Sequence, residues 1–126
     1  MGEAPDRHLP QQAPIDAYGN GGFRFGGMSH RGSLLCLPDG IWAWAVASPD
    51  DLSEAAFAPI LARADELDFI LIGTGRVLWV MPQALRQRFR DLHLSADTMP
   101  TAAAVRTYNV LLAERRRVAA GLIATD

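Results

Sequence analysis

The sequence predicts a single α/β domain around a mixed sheet that opens with an antiparallel hairpin. Three observations carry this. The apolar run Phe69–Ile72 enters the turn Gly73-Thr74-Gly75 without interruption, the pattern of a strand covered on both faces, and it is expected to be the central strand. The closing segment 118–124, VAAGLIA, is apolar at odd and even positions alike and predicts a second interior strand. Between these runs lie segments of helical spacing, so crossovers join largely parallel strands, while Pro38-Asp39-Gly40 turns an early hairpin.

In order along the chain, the polar and proline-rich residues 1–14 read as a loose arm and 15–126 as one domain, since 126 residues suit a single core. Residues 15–27, IDAYGNGGFRFGG, alternate aromatic and polar side chains around a glycine cluster and predict a short strand with a turn or bulge at Gly19 to Gly22. Ser29 to Leu37 and Ile41 to Ala47 form the hairpin, with Trp42 and Trp44 together on one face of its second strand. Leu52, Ala56, Phe57, Ile60, Leu61 and Ala64 then recur at helical spacing, interrupted by Pro59. The connection Val77 to Met81 is unusually apolar and either adds a short strand or covers the core.

Pro82 suits a first helical position, and Leu85, Phe89 and Leu92 share a face from which Arg86, Arg88 and Arg90 point away. His93 to Thr98 predicts a short strand. A last helix follows Pro100 and runs to Arg115, with Ala104, Tyr108, Leu111 and Leu112 inward. Gly121 in the closing strand suggests close packing of a helix on the sheet.

Composition excludes more than it assigns. A net charge of −2 gives no global attraction to nucleic acid or to an anionic membrane. Cys36 is the only cysteine and sits in an apolar run, so no disulfide framework or cysteine metal site is available and a core position is expected. His8, His30 and His93 lie far apart in sequence, and no metal or cofactor is expected. With no signal peptide and no apolar stretch of about 18 residues, the chain reads as cytoplasmic, any membrane contact being made peripherally through a partner.

Two site readings stand side by side. The turn Gly73, Thr74, Gly75 lies where open α/β sheets place ligands, although it has neither the lysine of a phosphate loop nor the third glycine of a dinucleotide fingerprint. Asn109 in mid-helix needs a reason: either a hydrogen bond to a neighbouring loop or contact with a ligand or partner. Together these four residues are the candidate ligand site. The candidate partner surface is Trp79 in the apolar connection, with Arg86, Arg88 and Arg90 and the helix-end cluster containing Arg116. No catalytic constellation is assembled by spacing.

The segments IDAYGNGGFRFGG, ILIGTG, RTYNVLLAERR and VAAGLI resemble a small bacterial and archaeal domain family of unknown function. Its mitochondrial relatives include complex I assembly factor three, and its animal relatives an adipogenesis-associated protein. The resemblance extends from about Ile15 to Ile123 and implies a three-layer fold around a mixed sheet, with no established enzyme. Two departures stand out: Arg115 where many members have glycine, and an unusually apolar connection at Val77 to Met81. The first reading is thus a non-catalytic protein-interaction domain, an assembly factor for a respiratory or membrane complex. The alternative is a small-ligand-binding domain or enzyme using the Gly73 turn and Asn109.

Overall fold

Alternate residues of three strands divide the core between two faces of one sheet. In β5 (Ser33–Leu37), Leu34 and Cys36 turn to one side and Leu35 and Leu37 to the other. β7 (Phe69–Gly73) divides Leu71 from Ile70 and Ile72, and β9 (Val118–Leu122) divides Val118, Ala120 and Leu122 from Ala119. A strand apolar at every position is stable only when both its faces are covered, and these three are. The structure, a computed structural model, describes residues 7–126.

The sheet has six strands in the order β1 (Arg7–Leu9), β6 (Gly40–Trp44), β5, β9, β7 and β8 (Ser95–Met99). β9 pairs antiparallel with β5 and parallel with β7, and β7 pairs parallel with β8, so the sheet is mixed. The strand expected at the centre, β7, lies one place from the edge, and β5 and β9 occupy the middle. Sequence periodicity reports that a strand is buried, whereas its rank in the sheet depends on the connections.

One face is covered by α3 (Thr101–Ala113), which buries Ala104, Val105 and Tyr108, and by a separate three-stranded antiparallel sheet. That small sheet is β2 (Ala17–Gly19), β3 (Gly22–Phe25) and β4 (Met28–Arg31), and Phe23 and Phe25 project from it into the core. It is more than the single bulged strand expected. Two tight turns, at Asn20-Gly21 and Gly26-Gly27, all with positive φ, fit the right-handed twist of hairpins. A break at Gly32 then splits the run 29–37 between β4 and β5.

The other face is covered by residues 49–66, in which three 3-10 turns flank the four-residue α1 (Ala58–Leu61), and by α2 (Gln83–Asp91). Pro59 falls inside α1 and keeps that helix short, while Phe57, Ile60, Leu85 and Phe89 are buried. Pro82 caps α2 rather than starting it. The result is a three-layer α/β domain. The arm expected over 1–14 is, from residue 7 onward, part of this fold: β1 pairs with β6, Gln12 Nε2 donates to the Val118 carbonyl at 2.6 Å, and Tyr108 Oη donates to the Ala13 carbonyl at 2.9 Å. Residues 1–6 lie outside the described residues.

Candidate functional site

The Gly73 turn leaves β7 and passes under the start of α3. Gly73 sits against the helix so closely that a Cβ there would lie 3.0 Å from both Cα and Oγ1 of Thr101, so only glycine admits this approach. Thr101 is fully buried and works in both directions: its hydroxyl accepts from the Gly75 amide at 2.8 Å and donates to the Ile123 carbonyl at 2.7 Å. The Thr74 amide donates to the Met99 carbonyl at 2.9 Å and the Thr74 hydroxyl to the Val77 carbonyl at 2.7 Å. The Ile123 amide in turn donates to the Gly73 carbonyl at 2.9 Å. A ligand loop needs free donors, and here the amides of Thr74 and Gly75 are bonded within the fold.

Asn109 is eight residues further along α3 than Thr101, about 12 Å at 1.5 Å per residue, so the structure does not bring it to the Gly73 turn. Its side-chain amide pairs with Ile15 as a strand would, accepting from the Ile15 amide at 2.8 Å and donating to the Ile15 carbonyl at 2.9 Å. With the Tyr108 hydroxyl on Ala13, it fastens segment 13–15 to the helix. Cys36 is buried beneath Tyr108, where desolvation pushes its thiol up to about 12.

The apolar connection forms no strand. Trp79 is half-buried against the core and Met81 is buried, whereas Val77, Leu78 and Val80 stand in solvent. Of the arginines of α2, Arg88 pairs with Glu54 at 3.3 Å, while Arg86 and Arg90 flank a cleft of about 150 Å³ over Met81, Phe89 and Leu94. Arg116 is not with them. Its guanidinium lies 4.7 Å from the centre of the Phe69 ring at the start of β7, a strand's length from the apolar connection that follows the end of that strand. Val77, Leu78 and Val80 are that connection's exposed members, a division that a run apolar at every position does not reveal.

Among the described residues, no group of three or more His, Cys, Asp or Glu side chains is arranged to hold a metal ion. Nor is any helix long and apolar enough to cross a membrane.

The fold is that of a small α/β domain in three layers, in which Thr101 ties the Gly73 turn to α3 and Asn109 clamps Ile15. The chain belongs to the family described as protein of unknown function (DUF498/DUF598), which matches residues 15–123. It is 41% identical over 110 residues to the uncharacterized protein RCAP_rcc01784 of Rhodobacter capsulatus, covering 87% of this chain and 83% of that one. It is 31% identical over 119 residues to NADH dehydrogenase (ubiquinone) 1 alpha subcomplex assembly factor 3 of Bos taurus, covering 93% of this chain and 64% of the relative. The chain therefore spans a little under two thirds of that assembly factor's length. A crystal structure described as an outer membrane protein from Bartonella henselae superposes with a TM-score of 0.90 at 50% identity, covering 94% of this chain and all of that one.

Proposed function

We propose that this chain is a non-catalytic protein-interaction domain, cytoplasmic and without a cofactor, that serves as an assembly factor for a respiratory or membrane-bound complex. The observation that carries the reading is the exposure of three large apolar side chains in one short connection: Val77 at 62%, Leu78 at 84% and Val80 at 76%. Contiguous exposed apolar side chains mark interaction surfaces more often than scattered ones do. These are also held in place. Trp79 and Met81 anchor the connection inward, and its start is fixed by Thr74 to Val77 and by Arg76 Nη2 on the Asp126 carbonyl at 3.3 Å.

Arg86 and Arg90 on the neighbouring helix add the side-chain type most enriched at interfaces with aromatic residues. The Bos taurus relative, named as an assembly factor, supports a protein partner. The test is genetic and biochemical. Deleting the gene should lower the amount of assembled respiratory complex I on native gels severalfold, and wild-type protein should restore it. The variant Leu78→Asp with Val80→Asp should fail to restore it while melting as wild type does, because both sites are exposed. Full complex I in the deletion strain would overturn the assembly reading, and full rescue by the double variant would overturn the surface.

A further inference from the structure

The small sheet has a second face, turned away from the core. Because Phe23 and Phe25 point inward, the exposed Arg24 of β3 points outward, while Gly22 is packed against the His30 carbonyl of β4. The register places Ala17 and Ser29 on either side of Arg24, and Gly19 and Arg31 on either side of Gly22. Directly opposed residues share a face, so this outer surface reads Ala17, Gly19, Gly22, Arg24, Ser29 and Arg31. Its middle has almost no side chains. Two arginines, diagonal neighbours across β3 and β4, rise from a floor of bare backbone.

The consequence is a shallow basin of about 410 Å³ whose lining contains Arg24, Ser29, Arg31 and Asn20 and, among the described residues, no acidic one; Asp16 lines a separate depression on the other side of Arg24 and Ser29. Among the described residues the three ion pairs employ Arg63, Arg88 and Arg117, so neither basin arginine is neutralised by a carboxylate. Arg31 makes one long bond, Nη1 donating to the Asn20 carbonyl at 3.4 Å, which lays its guanidinium along the basin. Two guanidinium groups without a carboxylate partner thus share one concave face, although the chain's net charge is −2. An anion seated between two diagonal arginines would be attracted by both and would offset their mutual repulsion.

Two guanidinium forks and a hydroxyl can donate to three oxygens at once, which matches a phosphate better than the two oxygens of a carboxylate. The basin is also larger than a bare phosphate ion fills. We propose that the outer face of β2–β4 binds the phosphate group of an organic phosphomonoester, with Arg24 and Arg31 as paired ligands and Ser29 as the third donor. This site shares no residue with the apolar connection at Val77–Val80, so either can fail without the other.

The experiment titrates the full chain with phenyl phosphate at constant ionic strength and follows backbone amides and arginine Nε–H groups by NMR. Saturable shifts confined to residues 17–31 are expected, with Arg24→Gln combined with Arg31→Gln weakening binding at least tenfold and Ser29→Ala weakening it about threefold. Unchanged amide shifts beyond residues 17–31 show that the variants fold. Vesicles containing phosphatidic acid, set against neutral phosphatidylcholine vesicles, distinguish the sources: co-sedimentation with the first alone assigns the phosphate to a lipid headgroup, and its absence alongside saturable phenyl phosphate binding assigns it to a soluble ester. Shifts reproduced by sodium chloride, retention of affinity in the double arginine variant, or tighter binding of a hexaglutamate peptide than of either phosphate probe would overturn the proposal.

Discussion

The Trp44 indole reaches across β5 to lie on Gly121 of β9, where a Cβ would come within 2.6 Å of its Cη2 and 2.8 Å of its Cζ3. Its Nε1 donates to the Ala56 carbonyl at 3.0 Å, so the ring is pinned at its far edge and has little room to retreat. Gly121 was expected to seat a helix, and it seats a tryptophan instead. Gly121→Ala should cost about 1–3 kcal/mol through overpacking. Chemical denaturation of this variant should also show the loss largely relieved when Trp44→Leu is added, and a fully additive pair would contradict the contact.

Thr101 joins the Gly73 turn, α3 and the residue after β9 through one hydroxyl. Thr101→Val keeps the shape but strands the Gly75 amide and the Ile123 carbonyl, and should cost about 2–4 kcal/mol because both groups are buried. Thr101→Ser keeps both bonds and should cost well under half as much. Urea unfolding of the pair measures the difference.

Arg115 has φ of 61° and ends α3 with paired bonds, its own amide to the Leu112 carbonyl and that of Arg116 to the Leu111 carbonyl, each 2.9 Å. This is the left-handed cap that glycine normally provides. Arg115→Gly should therefore stabilise the protein by about 0.5–1 kcal/mol, the relief of backbone strain outweighing the added freedom of the unfolded chain. A drop in melting temperature would refute this account of the cap.

The Arg63 guanidinium, hydrogen-bonded at 2.7 Å, holds Asp39 below the usual carboxylate range, and Arg117, at 2.8 Å, does the same for Asp68. A carboxyl whose folded pKa is depressed binds fewer protons than in the unfolded chain. The stability it adds is present above the unfolded value of about 3.9 and is lost as pH falls through the folded one. The melting temperature should thus be insensitive to these groups from pH 7 to 5 and fall below about pH 4. Asp39→Asn and Asp68→Asn should each shrink the acid-induced drop.

Cys36 should be inert. It is buried, and its thiol is pushed up to about 12 by desolvation, so thiolate is scarce at pH 8. An aromatic disulfide reagent should titrate no thiol in the native protein and one in guanidinium chloride. Rapid native labelling would show that the layer over β5 opens.

The sequence by itself determined that β7 and β9 are interior strands, because an unbroken apolar run has no solvent face to offer. It also determined the helices α2 and α3 and the hairpin at Asp39, through spacing and turn chemistry that act within a few residues. The family signature TYN was legible, and a hydrogen bond from Asn109 to a neighbouring segment was one of its two readings, but its partner was not, since the Asn109 amide finds Ile15 across 94 positions of chain. Only the tertiary structure decided that β9 rather than β7 stands at the centre, that Gly121 faces a tryptophan, and that the Gly73 turn bonds inward to Thr101. The same limit applies to the connection 77–81. Composition showed an excess of apolar residues, whereas which of them turn to the core and which to water depends on how the connection packs against the core beside α2. Spacing fixes what a segment can become, and long-range packing chooses its neighbours.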